Sequence, residues 1–256
     1  MTMPDRTGKI EVVTIQDILC ELDVVIGEDI MMGDFDIVGW QTAAKLREAG
    51  SEGYRLHGAM FRPNYERGIL VHSLIKKKGF TKFLEIGFGR GYVTCCSAKA
   101  MYDKGIEGSV VTVDPNLDER TVNNIDAIMS DALKQMIKIE KVHMTADQYF
   151  AQLDPNEKFD LIFIDGDHRY DAVASDYNNV IKHIDRGYIL MDDYHMPTKI
   201  DLDIDVANFV DSLPDTVKRR LVLTDRLLFT DDRGRTVEDL DYGMVLFPVG
   251  DIDDEE

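Results

Sequence analysis

The residues of this 256-residue chain that could do chemistry are mostly carboxylates, and they recur at the ends of apolar, strand-like runs. Phe83-Leu-Glu-Ile supplies Glu85 and runs into Gly87-Phe-Gly-Arg-Gly91. Ser109–Val113 ends in Asp114-Pro115, and Ile139–Met144 leads to Ala146-Asp147-Gln148. Phe159–Ile164 ends in Asp165-Gly-Asp-His168, and Tyr188–Met191 in Asp192-Asp193-Tyr194-His195. Glycines at alternate positions, Gly87, Gly89 and Gly91, suit a tight turn where backbone approaches a ligand closely. A carboxylate at Asp114 can accept hydrogen bonds from the two vicinal hydroxyls of a ribose. Asp147 can accept one from the exocyclic amine of an adenine. His168, three residues after Asp165, is of the one side-chain type that titrates near neutrality.

These residues need a scaffold that brings five strand ends to one rim. From Thr81 onward the chain alternates strand and helix: strand 83–86, helix 90–103, strand 109–113, a long helix 118–137, strand 139–144, strand 159–164, helix 170–184, strand 188–191 and helix 204–213. The near-continuous apolar run Phe159–Ile164 suits a central strand covered on both faces. Such alternation predicts an α/β fold, a doubly wound, mostly parallel, Rossmann-like sheet with right-handed crossovers. In such sheets ligands lie beyond the carboxyl ends of the strands. Arg220–Leu223 and Tyr242–Phe247 are strand-like without a long helix between them, so one of the two is expected to run antiparallel.

The segments before this alternation are less informative. Ile15–Ile26 and Val38–Ala49 have helical spacing, and residues 1–55, including the single Trp40, are expected to form a helical cap, a lid or an oligomer contact. Residues 56–250 would then be the catalytic or binding domain, and 251–256 an acidic tail. Ile69–Lys78 has the pattern of an amphipathic helix, with Gly79 at its end.

Composition narrows the partners. With 29 basic and 48 acidic residues, the net charge of −19 opposes binding to phosphate backbones or anionic membrane surfaces. Three cysteines, two of them adjacent (Cys95 and Cys96), provide no disulfide framework, and a cytoplasmic location is expected. No N-terminal stretch resembles a secretory signal, and no run approaches the roughly 20 apolar residues of a membrane span. The glycine turn departs from the G-x-G-x-x-G of dinucleotide sites, and an acidic rim repels a pyrophosphate. The same rim suits the sulfonium and ammonium of S-adenosylmethionine.

Leu-Glu-Ile-Gly-Phe-Gly-Arg-Gly, Val-Thr-Val-Asp-Pro and Phe-Asp-Leu-Ile-Phe-Ile-Asp-Gly-Asp-His together resemble the class I S-adenosylmethionine-dependent methyltransferases. Within that class the chain is similar to metal-dependent small-molecule O-methyltransferases of the catechol and macrolide-sugar types, over roughly residues 56–248. The resemblance implies a seven-stranded sheet whose last strand is antiparallel. It implies S-adenosylmethionine held by Glu85, Gly87, Gly89, Gly91, Asp114, Asp147 and Asp165. It further implies Mg²⁺ on Asp165, Asp192 and Asp193, with Asp165 and His168 as the catalytic residues and His168 as the base. Asp193 stands where the catechol type usually carries Asn, and in this it is similar to the sugar-modifying type. The implied partner is a small hydroxylated substrate, with room for a homo-oligomer. Two other functions stay open at this level: an S-adenosylmethionine-binding sensor or interaction protein that transfers nothing, and a hydroxylase-like relative.

Overall fold

The computed structural model describes residues 10–24, 31–32, 35–36, 54–56, 59–61, 65–194, 205–223, 229–230, 236–237 and 243–252. In order, the principal elements are β1 (Glu11–Thr14), α1 (Ile15–Glu21), α2 (Tyr65–Lys78), β2 (Lys82–Ile86), α3 (Tyr92–Lys104), β3 (Gly108–Val113), α4 (Glu119–Ile128), α5 (Asp131–Met136), β4 (Ile137–Val142), α6 (Ala146–Gln152), β5 (Leu161–Ile164), α7 (Tyr170–Val180), β6 (Gly187–Tyr194), α8 (Val206–Ser212), β7 (Arg220–Leu223) and β8 (Gly243–Val249). Short strands also form three separate antiparallel pairs, Met31–Met32 with Phe35–Asp36, Tyr54–Leu56 with Ala59–Phe61, and Phe229–Thr230 with Thr236–Val237.

The strands form one mixed sheet in the order β1-β7-β8-β6-β5-β2-β3-β4. The expected seven strands are present, and the last of them, β8, runs antiparallel to both neighbours, β6 and β7. An eighth strand, β1, extends the sheet by pairing parallel with β7. This changes the reading of residues 1–55 as a helical cap. Ile15–Glu21 is helical as expected, but Glu11–Thr14 ahead of it is sheet, and α1 packs its Ile15, Ile18 and Leu19 into the main core. The β-branched Val12, Val13 and Thr14 favour a strand. Thr14 then ends it, because its hydroxyl and Asp17 form a reciprocal capping box that starts α1. The expected helix 38–49 and Trp40 lie outside the described residues.

Alternation along each central strand builds two core layers. Phe83, Leu161, Phe163, Leu190 and Leu246 face α1 to α5. Leu84, Ile162, Ile164, Ile189, Val245 and Phe247 face α7 and α8. All eight residues of β6 are buried, which is what a strand covered on both faces requires. Cys95 and Cys96 are fully buried on α3, among the apolar groups of the first layer. The single long helix expected over 118–137 is two, α4 and α5, because Ser130 caps a new helix through the Leu133 amide and Ile137 already begins a strand. Among the described residues, no helix is long and apolar enough to cross a membrane.

Candidate active site

Register assembles the site. Ile86 pairs with Val113 on one side and Ile164 on the other, and Ile164 pairs with Met191. These four residues form one row across β3, β2, β5 and β6. The next residue on each strand is therefore Asp114, Gly87, Asp165 and Asp192, side by side at the carboxyl edge. Backbone hydrogen bonds continue past the row: the Gly87 amide donates to Val113 (2.9 Å) and the Asp165 amide to Ile86 (2.8 Å).

The glycine turn joins β2 to α3 with Gly87, Gly89 and Gly91 all at positive φ. Asp114 is tied to it. Its Oδ2 accepts from the amides of Phe88 (2.9 Å) and Gly89 (3.3 Å), and its Oδ1 from Asn116 (2.6 Å). Glu85 lies beneath the turn, 2% exposed, and accepts a hydrogen bond from Thr94 on α3. Burial pushes its carboxyl up to about 8, so it carries a proton at neutral pH. Asp147 is engaged elsewhere: Ser175 (2.7 Å) and Asn179 (3.0 Å) on α7 both donate to its Oδ1, which fastens α6 to α7. Its helix is capped by Thr145, not by Asp147.

Successive strand residues point to opposite faces, so Asp192 and Asp193 should diverge. They do not, because β6 carries a register irregularity between Met191 and Tyr194, with Asp193 at φ 59°. A non-glycine residue in this left-handed region costs on the order of 1 kcal/mol, and such strain concentrates at functional sites. Both carboxylates consequently reach one guanidinium, that of Arg67 on the first turn of α2. Arg67 Nη1 also lies 3.4 Å from Asp165 Oδ2. Burial pushes the Asp192 carboxyl well above its ordinary range, and the Arg67 charge opposes that shift.

His168 completes the group. Its Nε2 is 2.7 Å from Asp193 Oδ2 and 3.5 Å from Asp165 Oδ1. These acceptors, Asp165 and Asp193, push the imidazole up to about 10 against the opposing effect of burial. Asp165, His168 and Asp193 offer ligand atoms within 4.8 Å of one another, close enough to share a cation. Asp192 stands beside them across Arg67. Hard oxygen donors of this kind, one of them deeply buried, fit a divalent cation. Asp167 does not turn toward His168, since it is paired with Arg169 in its own loop. His195 lies outside the described residues. Arg67 could not have been found from its surroundings in the sequence: it stands 98 residues before Asp165 and 126 before Asp193, in a segment without a recognisable motif.

A family profile described as "Methyltransferase domain" matches residues 84–194, which hold the glycine turn, Asp114, Asp165, His168 and the Asp192-Asp193 pair. Similar solved structures include an O-methyltransferase from Bacillus cereus in complex with S-adenosylhomocysteine, at 20% identity and a TM-score of 0.54, covering 93% of this chain and 98% of that one. Another is the O-methyltransferase TomG from Streptomyces achromogenes, in complex with S-adenosylmethionine, at 17% identity and a TM-score of 0.54, covering 86% and 93%. A third is the S-adenosylhomocysteine-bound methyltransferase PaMTH1 of Podospora anserina, at 14% identity and a TM-score of 0.53, covering 98% of both chains. An uncharacterised protein of Acanthamoeba polyphaga mimivirus is 50% identical over 36 residues, and that match spans 14% of this chain and 16% of the viral one. Residues 84–194 thus carry the sequence pattern of a methyltransferase domain. The eight-stranded sheet built around them has the Rossmann-like methyltransferase architecture.

Proposed function

We propose that the protein transfers the methyl group of S-adenosylmethionine to a hydroxyl of a small molecule such as a sugar, a phenol or a related natural product, with Mg²⁺ assisting. The observation that carries this reading is the convergence of Asp165, Asp192, Asp193 and His168 at strand ends directly beside the glycine turn. The O-methyltransferases that share the fold support the choice of oxygen.

Gly87, Gly89 and Gly91 would hold the methionine part of the methyl donor, with Glu85 supporting the turn from beneath and Asp114 positioned for the ribose. Asp147 is assigned to the adenine amine, and taking up that contact would compete with Ser175 and Asn179. Asp165, Asp192 and Asp193 would hold the Mg²⁺. When bound, the cation would lower the pKa of the substrate hydroxyl and fix the oxygen in place. Methyl transfer is an in-line displacement, so most of the remaining task is alignment of that oxygen with the sulfonium methyl.

His168 is the proposed proton acceptor. In the arrangement described, its carboxylate neighbours keep the imidazole charged. A cation held by Asp165 and Asp193 would offset their charge, and His168 would then lie nearer its ordinary range, able to accept a proton. The test is His168→Ala assayed with labelled S-adenosylmethionine and a panel of hydroxylated compounds. Cofactor affinity should be retained and turnover should fall by about 10²–10⁴-fold. Full activity in His168→Ala rejects the base assignment, and activity indifferent to EDTA rejects the cation. A protein that binds the label and transfers none to any acceptor or cell extract is a sensor instead.

A further inference from the structure

Arg67 is the third residue of α2, and its guanidinium stands among the three carboxylates just described. Each nitrogen faces a different one. Nε faces Asp192, Nη1 lies 3.4 Å from Asp165 Oδ2, and Nη2 lies 3.0 Å from Asp193 Oδ1. A divalent cation bound by these residues needs their oxygens at roughly 2.0–2.6 Å. A cation held through the oxygens that face Arg67 (Asp165 Oδ2, Asp192 Oδ2 and Asp193 Oδ1) would take the space of the guanidinium, so the two cannot occupy that position together. We infer that Arg67 is a tethered counter-cation that excludes a divalent ion from Asp165, Asp192 and Asp193, and that ion loading requires its guanidinium to withdraw.

This inference rests on the cation reading given under Proposed function and adds a residue outside the matched domain to it. Its physical basis is the cost of leaving Asp192 buried without a counter-charge, which reaches several kcal/mol for an isolated ion. A planar, permanently charged fork meets three carboxylates at once, which a single ammonium does not. The side chain is 20% exposed and springs from the first turn of its helix, so rotation about its own bonds can carry it outward with α2 in place.

The test is a titration of the full chain with Mn²⁺, read from the electron paramagnetic resonance of the free ion, without cofactor or substrate. Arg67→Gln should bind Mn²⁺ at least tenfold more tightly than the wild type. Its unfolding temperature without metal should be lower and should recover on adding Mn²⁺. In the wild type, saturation with diamagnetic Mg²⁺ should move the Arg67 Nε–H resonance, assigned by its loss in Arg67→Lys, to the position of a solvated side chain. Should Arg67→Gln fail to fold, Arg67→Lys replaces it, with at least threefold tighter Mn²⁺ binding expected because the fork is gone while the charge stays. Equal Mn²⁺ affinity in wild type and variant, with the Nε–H resonance unmoved by Mg²⁺, overturns the exclusion and leaves the cation reading standing. Absence of Mn²⁺ binding in wild type and variants alike overturns both.

Discussion

Placing a methyl group on two glycines of the same turn should have very different consequences. A Cβ on Gly87 would lie 2.0 Å from the Asp165 carbonyl oxygen and 2.6 Å from its carbon. Both are backbone atoms of a strand end that cannot move aside, because the Asp165 amide is itself bonded to Ile86 at 2.8 Å. Gly87 is also at φ 92°, so Ala incurs a conformational cost of about 1–2 kcal/mol in addition to the overlap. Overpacking of this kind adds about 1–3 kcal/mol, so Gly87→Ala should destabilise by roughly 2–5 kcal/mol. Among the described residues a Cβ on Gly89 meets nothing within 4 Å, and at φ 51° only the conformational cost of about 1 kcal/mol remains. For a chain of this size the melting temperature should fall by roughly 4–20 °C for Gly87→Ala and about 2–4 °C for Gly89→Ala. Urea unfolding and calorimetry measure the difference, and S-adenosylmethionine titration reports on the turn in whichever variant stays folded. Gly87→Ala should also shift Asp165 and so weaken Mn²⁺ binding, an effect Gly89→Ala should lack. Equal destabilisation by the two substitutions would refute the proposition that the turn is held by contact with the Asp165 strand end.

Two further outcomes test the surroundings of the site. Glu85 binds its proton more tightly when folded, so its contribution to stability is complete below about pH 4.5 and is lost as pH rises through about 8. Glu85→Gln should therefore flatten the fall in unfolding free energy between pH 5 and 8.5 by on the order of 3–5 kcal/mol, and an unchanged slope in urea titrations would contradict a buried, protonated Glu85. Thr145 caps α6 reciprocally with Gln148, and Thr145→Ala should cost about 1 kcal/mol in the same assay, with catalytic parameters unaltered.

Much of the fold was legible before any coordinates, because strands buried on both faces leave uninterrupted apolar runs and their acidic ends mark the ligand edge. The runs 83–86, 159–164 and 188–191 correspond to β2, β5 and β6. The misses have local causes. β1 spans four residues and is made by pairing with β7, some 200 positions away, which no local pattern announces. The division of 118–137 into α4 and α5 was visible in Ser130-Asp131, a helix-start signal within an apparently continuous helical pattern. Of the candidate ligand residues, Asp114 and Glu85 are gathered at the turn, whereas Asp147 is shared between two helices.

The sequence by itself determined the identity of the carboxylates and glycines at the rim, since each is placed by the strand immediately before it. Only the tertiary structure decided how those groups meet. The bulge that turns Asp193 to the side of Asp192 is a backbone choice within β6, enforced by pairing with β8. The cation that answers them, Arg67, comes from a helix packed over the sheet from far earlier in the chain. Residue type is a local property and can be read locally. Charge compensation depends on distance in space, which only the assembled sheet and helices define.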